Sequence, residues 1–246
     1  MAKHSHWDNI KHKKAVNDKK KAAVIAKMGV LLTVAVQQGG PNLDDNPRLR
    51  LAWDKARASG MNLEAIERAI KKAAGEGKDG KILVEVTYEG YAPGGVAVVV
   101  QTLTDNRNRT APEVKKIFER AGGAIGNPGC VAWQFKPKAA FLVGDETKGA
   151  KEETVMEVLL AAGCEPEDLA QVDRQVSVTA DPRQFDAISK ALSAAKLTVA
   201  QADFTKLPDT MVPVADPSPL NELLEALDDH DDVQEVFHNG ELPDQA

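Results

Sequence analysis

Six lysines crowd into residues 10–21, IKHKKAVNDKKK, and lysine at that density is suited to binding a polyanion. On a helix, Lys13, Lys20 and Lys27 recur at seven-residue spacing and share one face, with Lys14 and Lys21 in the neighbouring row. Residues 1–27 hold eight lysines and two aspartates, so these rows repel themselves. A solvated helix face is one reading. Phosphate binding is the other, because a polyanion cancels the repulsion and releases counterions. Lys3, Lys11 and Lys19 complete the lysine set with Lys13, Lys14, Lys20, Lys21 and Lys27. Trp7, beside His4, His6 and His12, adds a ring able to stack on exposed bases.

A second cluster, TDNRNRT at 104–110, reads as a loop that leaves a strand and feeds a helix start. Arg107 and Arg109 beside free backbone N–H groups suit a phosphate or carboxylate. Alternatively, Asp105 pairs with an arginine and the cluster only stiffens the loop. Other chemistries fit poorly. The three early histidines lack the four fixed ligands of a structural zinc site. DDHDD at 228–232 lacks the spaced oxygens and glycine turn of a calcium loop and reads as a solvated helix end. YEGYAPGG lies between two strands, where a dinucleotide fingerprint does not belong. No nucleophile elbow, Walker lysine or catalytic Cys/His pattern occurs. The expectation is a chain with no metal, no cofactor and no catalytic residues.

The elements that must carry these clusters follow from periodicity. Val24, Ile25, Met28, Leu31, Leu32 and Ala35 mark a helix stopped by Gly39-Gly40-Pro41. Asn46-Pro47 reads as an N-cap with proline at the first helical position, and Leu49, Ala52, Trp53 and Ala56 form the apolar face of that helix. Asn62 opens a third helix that carries Leu63, Ile66 and Ile70 and closes at Gly75. Three short helices imply a small bundle. GEGKDG then reads as a linker. ILVEVTYEGY and GVAVVVQTLT form a hairpin through APGG, and Thr110-Ala-Pro-Glu113 reads as a capping box that starts helix 111–121. GCVAWQF reads as a third strand. Beyond residue 138 the expected order is strand, helix, strand, helix, strand (AFLV, TVMEVLLAAG, QVSVTA, QFDAISKALSAA, TVAQADF), then helix PLNELLEALDD and strand VQEVFH. Such alternation implies α+β sandwiches.

Charge is segregated along the 246 residues. Residues 1–78 hold 16 Lys and Arg against 8 Asp and Glu, while residues 138–246 hold 8 against 23. A basic amino-terminal third on an acidic body predicts a polyanion partner for one end only. Two distant cysteines, Cys130 and Cys164, exclude a disulfide framework and fit a reducing compartment. The apolar run at 22–36 imitates a signal peptide, but Lys27 interrupts it. As a helix it would span only about 22 Å, short of a bilayer. A cytoplasmic protein with no membrane partner is expected.

Six stretches resemble one family. HSHWDNIKHKKA, NPRLRLAWDKARASGM, IERAIKKAAG, YEGYAPGGVAVVVQTLTDNRNRT, GGAIGNPGCVAWQF and DDVQEVFHN are similar to the YebC/PmpR family of bacterial gene-expression regulators. Mitochondrial relatives of that family include the translational activator of cytochrome c oxidase subunit one. The resemblance implies an α+β chain: an N-terminal three-helix bundle, then two ferredoxin-like α/β sandwich domains, the third inserted into the second. The expected boundaries are 1–78, 79–136 with 207–246, and 137–206. It implies no cofactor and no established catalysis. The expected function is a non-enzymatic, nucleic-acid-binding regulator acting on structured RNA or the ribosome. A DNA-binding transcriptional regulator is the alternative, and an enzyme using the Asp105–Arg109 loop is a remote one.

Overall fold

The computed structural model describes residues 21–76, 83–145 and 148–242. The chain divides into two compact units. One is Gln134–Met211; the other comprises the described residues before it together with 212–242.

The second of these units opens with three helices: α1 (Lys21–Gly39), α2 (Pro47–Ala58) and α3 (Leu63–Lys71). The starts of α2 and α3 are set locally. The Asn46 side chain accepts the Leu49 N–H, and Asn62 accepts that of Ala65, each taking up a donor the helix leaves unpaired. Leu32, Ala35, Val36, Leu49, Ala52, Ala56 and Ile66 are buried together as the bundle core. At Gly75 the φ angle is 109°, which favours glycine and ends the helical path.

A sheet follows in the same unit. Its strands are β1 (Val84–Ala92), β2 (Val96–Thr104), the two-residue β3 (Ala124–Ile125) and β9 (Val233–His238), in the order β3-β1-β2-β9. Helices α4 (Arg107–Arg120) and α7 (Ser218–Asp228) lie on one face. There Val96, Val98 and Val100 pack with Val114, Phe118, Leu220, Leu223 and Leu227. A short parallel pair, β8 (Val212–Pro213) and β10 (Gly240–Glu241), joins the flanks of α7 and β9.

The unit Gln134–Met211 holds β4 (Phe135–Val143), α5 (Glu152–Ala161), β5 (Asp168–Val172), β6 (Gln175–Ala180), α6 (Phe185–Ala194) and β7 (Val199–Pro208). Its antiparallel sheet runs β5-β6-β4-β7. With β-α-β-β-α-β chain order this is the ferredoxin-like arrangement. The sheet of the bundle-containing unit has the same strand arrangement, reached by a different chain order. β1 stands where β6 stands, β2 where β4 stands, β3 where β5 stands, and β9 where β7 stands. That sheet is therefore a permuted copy, interrupted by the inserted unit.

Three readings of the sequence need correction. GCVAWQF is not a strand: residues 132–134 form a 3₁₀ turn, and Phe135 begins β4. The N–H groups of Gly129, Val131 and Ala132 donate to the buried carboxylate of Glu89 at 2.7, 2.9 and 2.8 Å, so no neighbouring strand receives them. Thr110 is not an N-cap. Asn106 caps α4, accepting from Asn108 and Arg109 N–H, and places Arg107–Thr110 in the first helical turn. Finally, β5 (DLAQV) was not foreseen; it is a half-buried edge strand with Asp and Gln in a five-residue run.

Candidate nucleic-acid interface

Most of the lysine block, namely Lys3, Lys11, Lys13, Lys14, Lys19 and Lys20, lies outside the described residues, as does Trp7. Lys21 begins α1. Lys27, on the same helix, donates from Nζ to the Asp228 carbonyl at the C-terminus of α7, 2.5 Å away. A cation at that end complements the helix dipole.

The bundle's other cations divide by helix. On α2, Arg48 pairs with Glu85 of β1, and Lys55 Nζ meets Glu235 of β9 at 3.0 Å. Arg50 donates to the Leu43 and Asp44 carbonyls, and the Arg57 guanidinium lies 5.1 Å over the Trp53 ring. On and just after α3, by contrast, Arg68, Lys71 and Lys72 are exposed at spacings of three and four, on one face. Their signal in the sequence was available (ERAIKK), but Glu64 and Glu67 one turn earlier disguised it as balanced charge.

At the start of α4, Arg107 and Arg109 have different surroundings. Arg107 is exposed. Arg109 Nη2 donates to Asp232 at 2.9 and 3.1 Å and to Asp105 at 3.2 Å. Thr110 donates from Oγ1 to Asp232 Oδ2 at 2.6 Å, and Thr104 Oγ1 is 2.7 Å from Thr110 Oγ1. Burial alone would raise the Asp232 carboxyl. Hydrogen bonds from Thr110, Arg109 and Thr104 outweigh it and hold that carboxyl below its ordinary value. The hydrogen bond that Arg109 donates to Asp232 in turn raises the Arg109 guanidinium above its ordinary value. The cluster thus latches the α4 start to the segment between α7 and β9, and two carboxylates offset Arg109.

The latch extends to His230. Its Nδ1 accepts the Asp232 N–H at 3.1 Å, which leaves the proton on Nε2 to donate to Glu113 Oε2, also 3.1 Å away. Ligand atoms of Glu113, His230 and Asp232 lie within 4.8 Å of one another. Each already has a hydrogen-bonding role, and the Arg109 guanidinium disfavours a cation beside Asp232. No described helix is long and apolar enough to cross a membrane.

A helical bundle joined to a permuted ferredoxin-like sheet, with a second such sheet inserted into it, defines an α+β class of three-part proteins. Residues 5–76 match the model of the TACO1/YebC protein N-terminal domain, and residues 83–240 match that of the TACO1/YebC second and third domain. The chain belongs to the TACO1/YebC family. A relative from Dictyoglomus turgidum is 40% identical over 247 residues, covering 100% of this chain and 98% of its own. One from Desulfatibacillum aliphaticivorans is 42% identical over 248 residues, with the same coverage. Both are named probable transcriptional regulatory protein. The crystal structure of a conserved hypothetical protein from Aquifex aeolicus superposes with a TM-score of 0.83 at 38% identity, covering 98% of each chain.

Proposed function

We propose that this chain is a non-enzymatic, nucleic-acid-binding regulator of gene expression that acts on structured RNA, such as the ribosome, in translation. The observation that carries the reading is charge segregation. The basic third at 1–78 precedes a body in which 212–246 holds ten Asp and Glu and no Lys or Arg. A polyanion is attracted to the basic segment and repelled by the acidic ones. The assigned phosphate contacts are Lys3, Lys11, Lys13, Lys14, Lys19, Lys20, Lys21 and Lys27, with Trp7 stacking and Arg107 as an outlying contact. Arg109 is retained as the residue that orients the Arg107 turn. We keep 1–78, 79–136 with 207–246, and 137–206 as the working domains, and the cytoplasm as the working compartment. A second reading, DNA-binding transcriptional regulation, is favoured by the names of the relatives.

The test is affinity for ribosomes, duplex DNA and a short RNA across a range of salt. Phosphate contacts by the six lysines of the block, Lys11, Lys13, Lys14, Lys19, Lys20 and Lys21, predict a log–log salt slope of roughly -4 to -5. Affinity independent of salt removes the lysines from the interface. Duplex DNA bound more tightly than ribosomes at every salt transfers the reading to transcription.

A further inference from the structure

Outside the latch and the bundle, one surface feature stays unexplained. Among the described residues Trp133 is the most exposed large apolar side chain, at 73%, and Tyr91 is 41% exposed. A Trp left in water forgoes the burial that ordinarily rewards so large a side chain.

The segment that carries it is held from beneath. Glu89, itself 6% exposed, gathers the N–H groups of Gly129, Val131 and Ala132, and the Val131 side chain is fully buried. Two glycines allow the close approach. A Cβ on Gly90 would fall 2.5 Å from the Ala124 carbonyl oxygen, and one on Gly126 would fall 2.5 Å from Cys130 Sγ. The ring is fixed as well, because Trp133 Nε1 donates to the Cys130 carbonyl at 3.1 Å. Tyr91 donates its hydroxyl to the same oxygen at 3.4 Å. Both polar edges thus point to one internal acceptor. The indole's ring surface is what remains for a partner.

Charge narrows the partner. In a chain that is 28% charged, residues 121–135 contain no Asp, Glu, Lys, Arg or His. The surface therefore suits the uncharged part of a ligand. A nucleotide strand divides in the complementary way: its bases are flat and uncharged, while its phosphates need the cations supplied by residues 1–78. Stacking uses ring faces and leaves no hydrogen bond to satisfy, and it is the common mode for bases splayed from RNA loops.

We propose that Trp133, with Tyr91 beside it, is a preorganised stacking platform for an unpaired base of single-stranded RNA. The platform rests on the nucleic-acid reading above but not on its assignment of phosphate contacts. The test uses the full chain with a 12-nucleotide single-stranded RNA, the same sequence as single-stranded DNA, a blunt RNA duplex, and inorganic polyphosphate. Trp133→Ala should weaken single-stranded RNA binding about tenfold or more, and Trp133→Phe should restore most of it. The melting temperature should be unchanged, since the ring is exposed. RNA should quench indole emission in the wild type more than in Trp133→Ala, whereas polyphosphate should compete for the cations without quenching.

An unaltered RNA affinity in Trp133→Ala overturns the platform while leaving the nucleic-acid reading intact. Equal losses on duplex and polyphosphate overturn it too, because stacking requires an unpaired base. Equal dependence of single-stranded DNA on Trp133 overturns the assignment to RNA. A self-association abolished by Trp133→Ala, with RNA affinity unchanged, assigns the patch to a second copy instead. No binding of the wild type to any nucleic acid removes both proposals.

Discussion

The two four-stranded sheets share one strand arrangement, yet the chain completes them differently. The sheet within Gln134–Met211 is built from consecutive elements, β4 to β7, and its core residues, among them Phe141, Leu159, Ile188 and Leu192, all come from that segment. The sheet of β1, β2, β3 and β9 stays incomplete until the chain has passed through the inserted unit. Its α7 and β9 supply Leu220, Leu223, Leu227, Val233 and Val236 from beyond residue 211. Completing it therefore closes a much longer loop, which costs conformational entropy before the contacts form. The closing segment is also tied by charge: Asp232 to Arg109, and Glu235 to Lys55. Identical arrangement thus coexists with unequal dependence on distant sequence.

Truncation tests that inequality most severely. A chain ending at Met211 loses five buried apolar side chains from the interrupted sheet, a loss of roughly 10 kcal/mol and comparable to a whole domain's stability. Hydrogen exchange should then show β2 amides unprotected and β6 amides protected, and residues 134–211 expressed alone should melt cooperatively. Persistent β2 protection in the truncated chain would falsify the claimed dependence.

Point substitutions refine the comparison. Leu223→Ala and Leu192→Ala should each cost about 2–5 kcal/mol, one in each core. If the units unfold separately, native-state exchange should show Leu223→Ala lowering protection in β2 alone and Leu192→Ala in β6 alone. A uniform drop across both sheets would mean one cooperative unit.

A smaller effect comes from the latch. Asp232→Asn should destabilise the interrupted sheet by about 1–2 kcal/mol, discounted because the Arg109 side chain is 45% exposed. The Asp232 carboxyl is held below its ordinary 3.8, so its contribution is present above that pH and is lost as pH falls through the folded value. Below about pH 4 the wild type should therefore lose stability more steeply than Asp232→Asn, as followed by β2 exchange in an acid titration. Parallel acid profiles would detach the latch from stability. The smallest expected change in stability belongs to the basic block. Replacing Lys11, Lys13, Lys14, Lys19, Lys20 and Lys21 together by Ala should shift the melting temperature by no more than about 1 °C. The same variant should remove most of the salt dependence of RNA binding, read by anisotropy; an unchanged slope would clear those lysines of phosphate contact.

Legibility followed the range of the interactions involved. Asn46 and Asn62 could be recognised as caps because each bonds an N–H three residues away. At the start of α4 the same logic misled. Thr110-Ala-Pro-Glu113 has capping-box spacing, but Asn106 starts the helix one turn earlier, and the Thr110 hydroxyl reaches Asp232, 122 residues away. GCVAWQF has the composition of a strand, yet Glu89, about forty residues before it, gathers its N–H groups. Nothing within either stretch announces those distant partners. The basic face of Arg68, Lys71 and Lys72 was missed for a different reason, since neighbouring glutamates balance its charge on paper.

By itself the sequence determined the helical and strand periodicities, the local caps and the segregation of positive from negative charge, because each depends on composition or on neighbours within about a turn. Only the tertiary structure decided which cations are neutralised. Arg107 and Arg109 stand two residues apart in the same motif and both are exposed, yet Arg109 meets Asp232, which follows the inserted unit in the sequence. The physical reason is that an ion pair depends on distance in space, and that distance is set by how the chain closes its interrupted sheet.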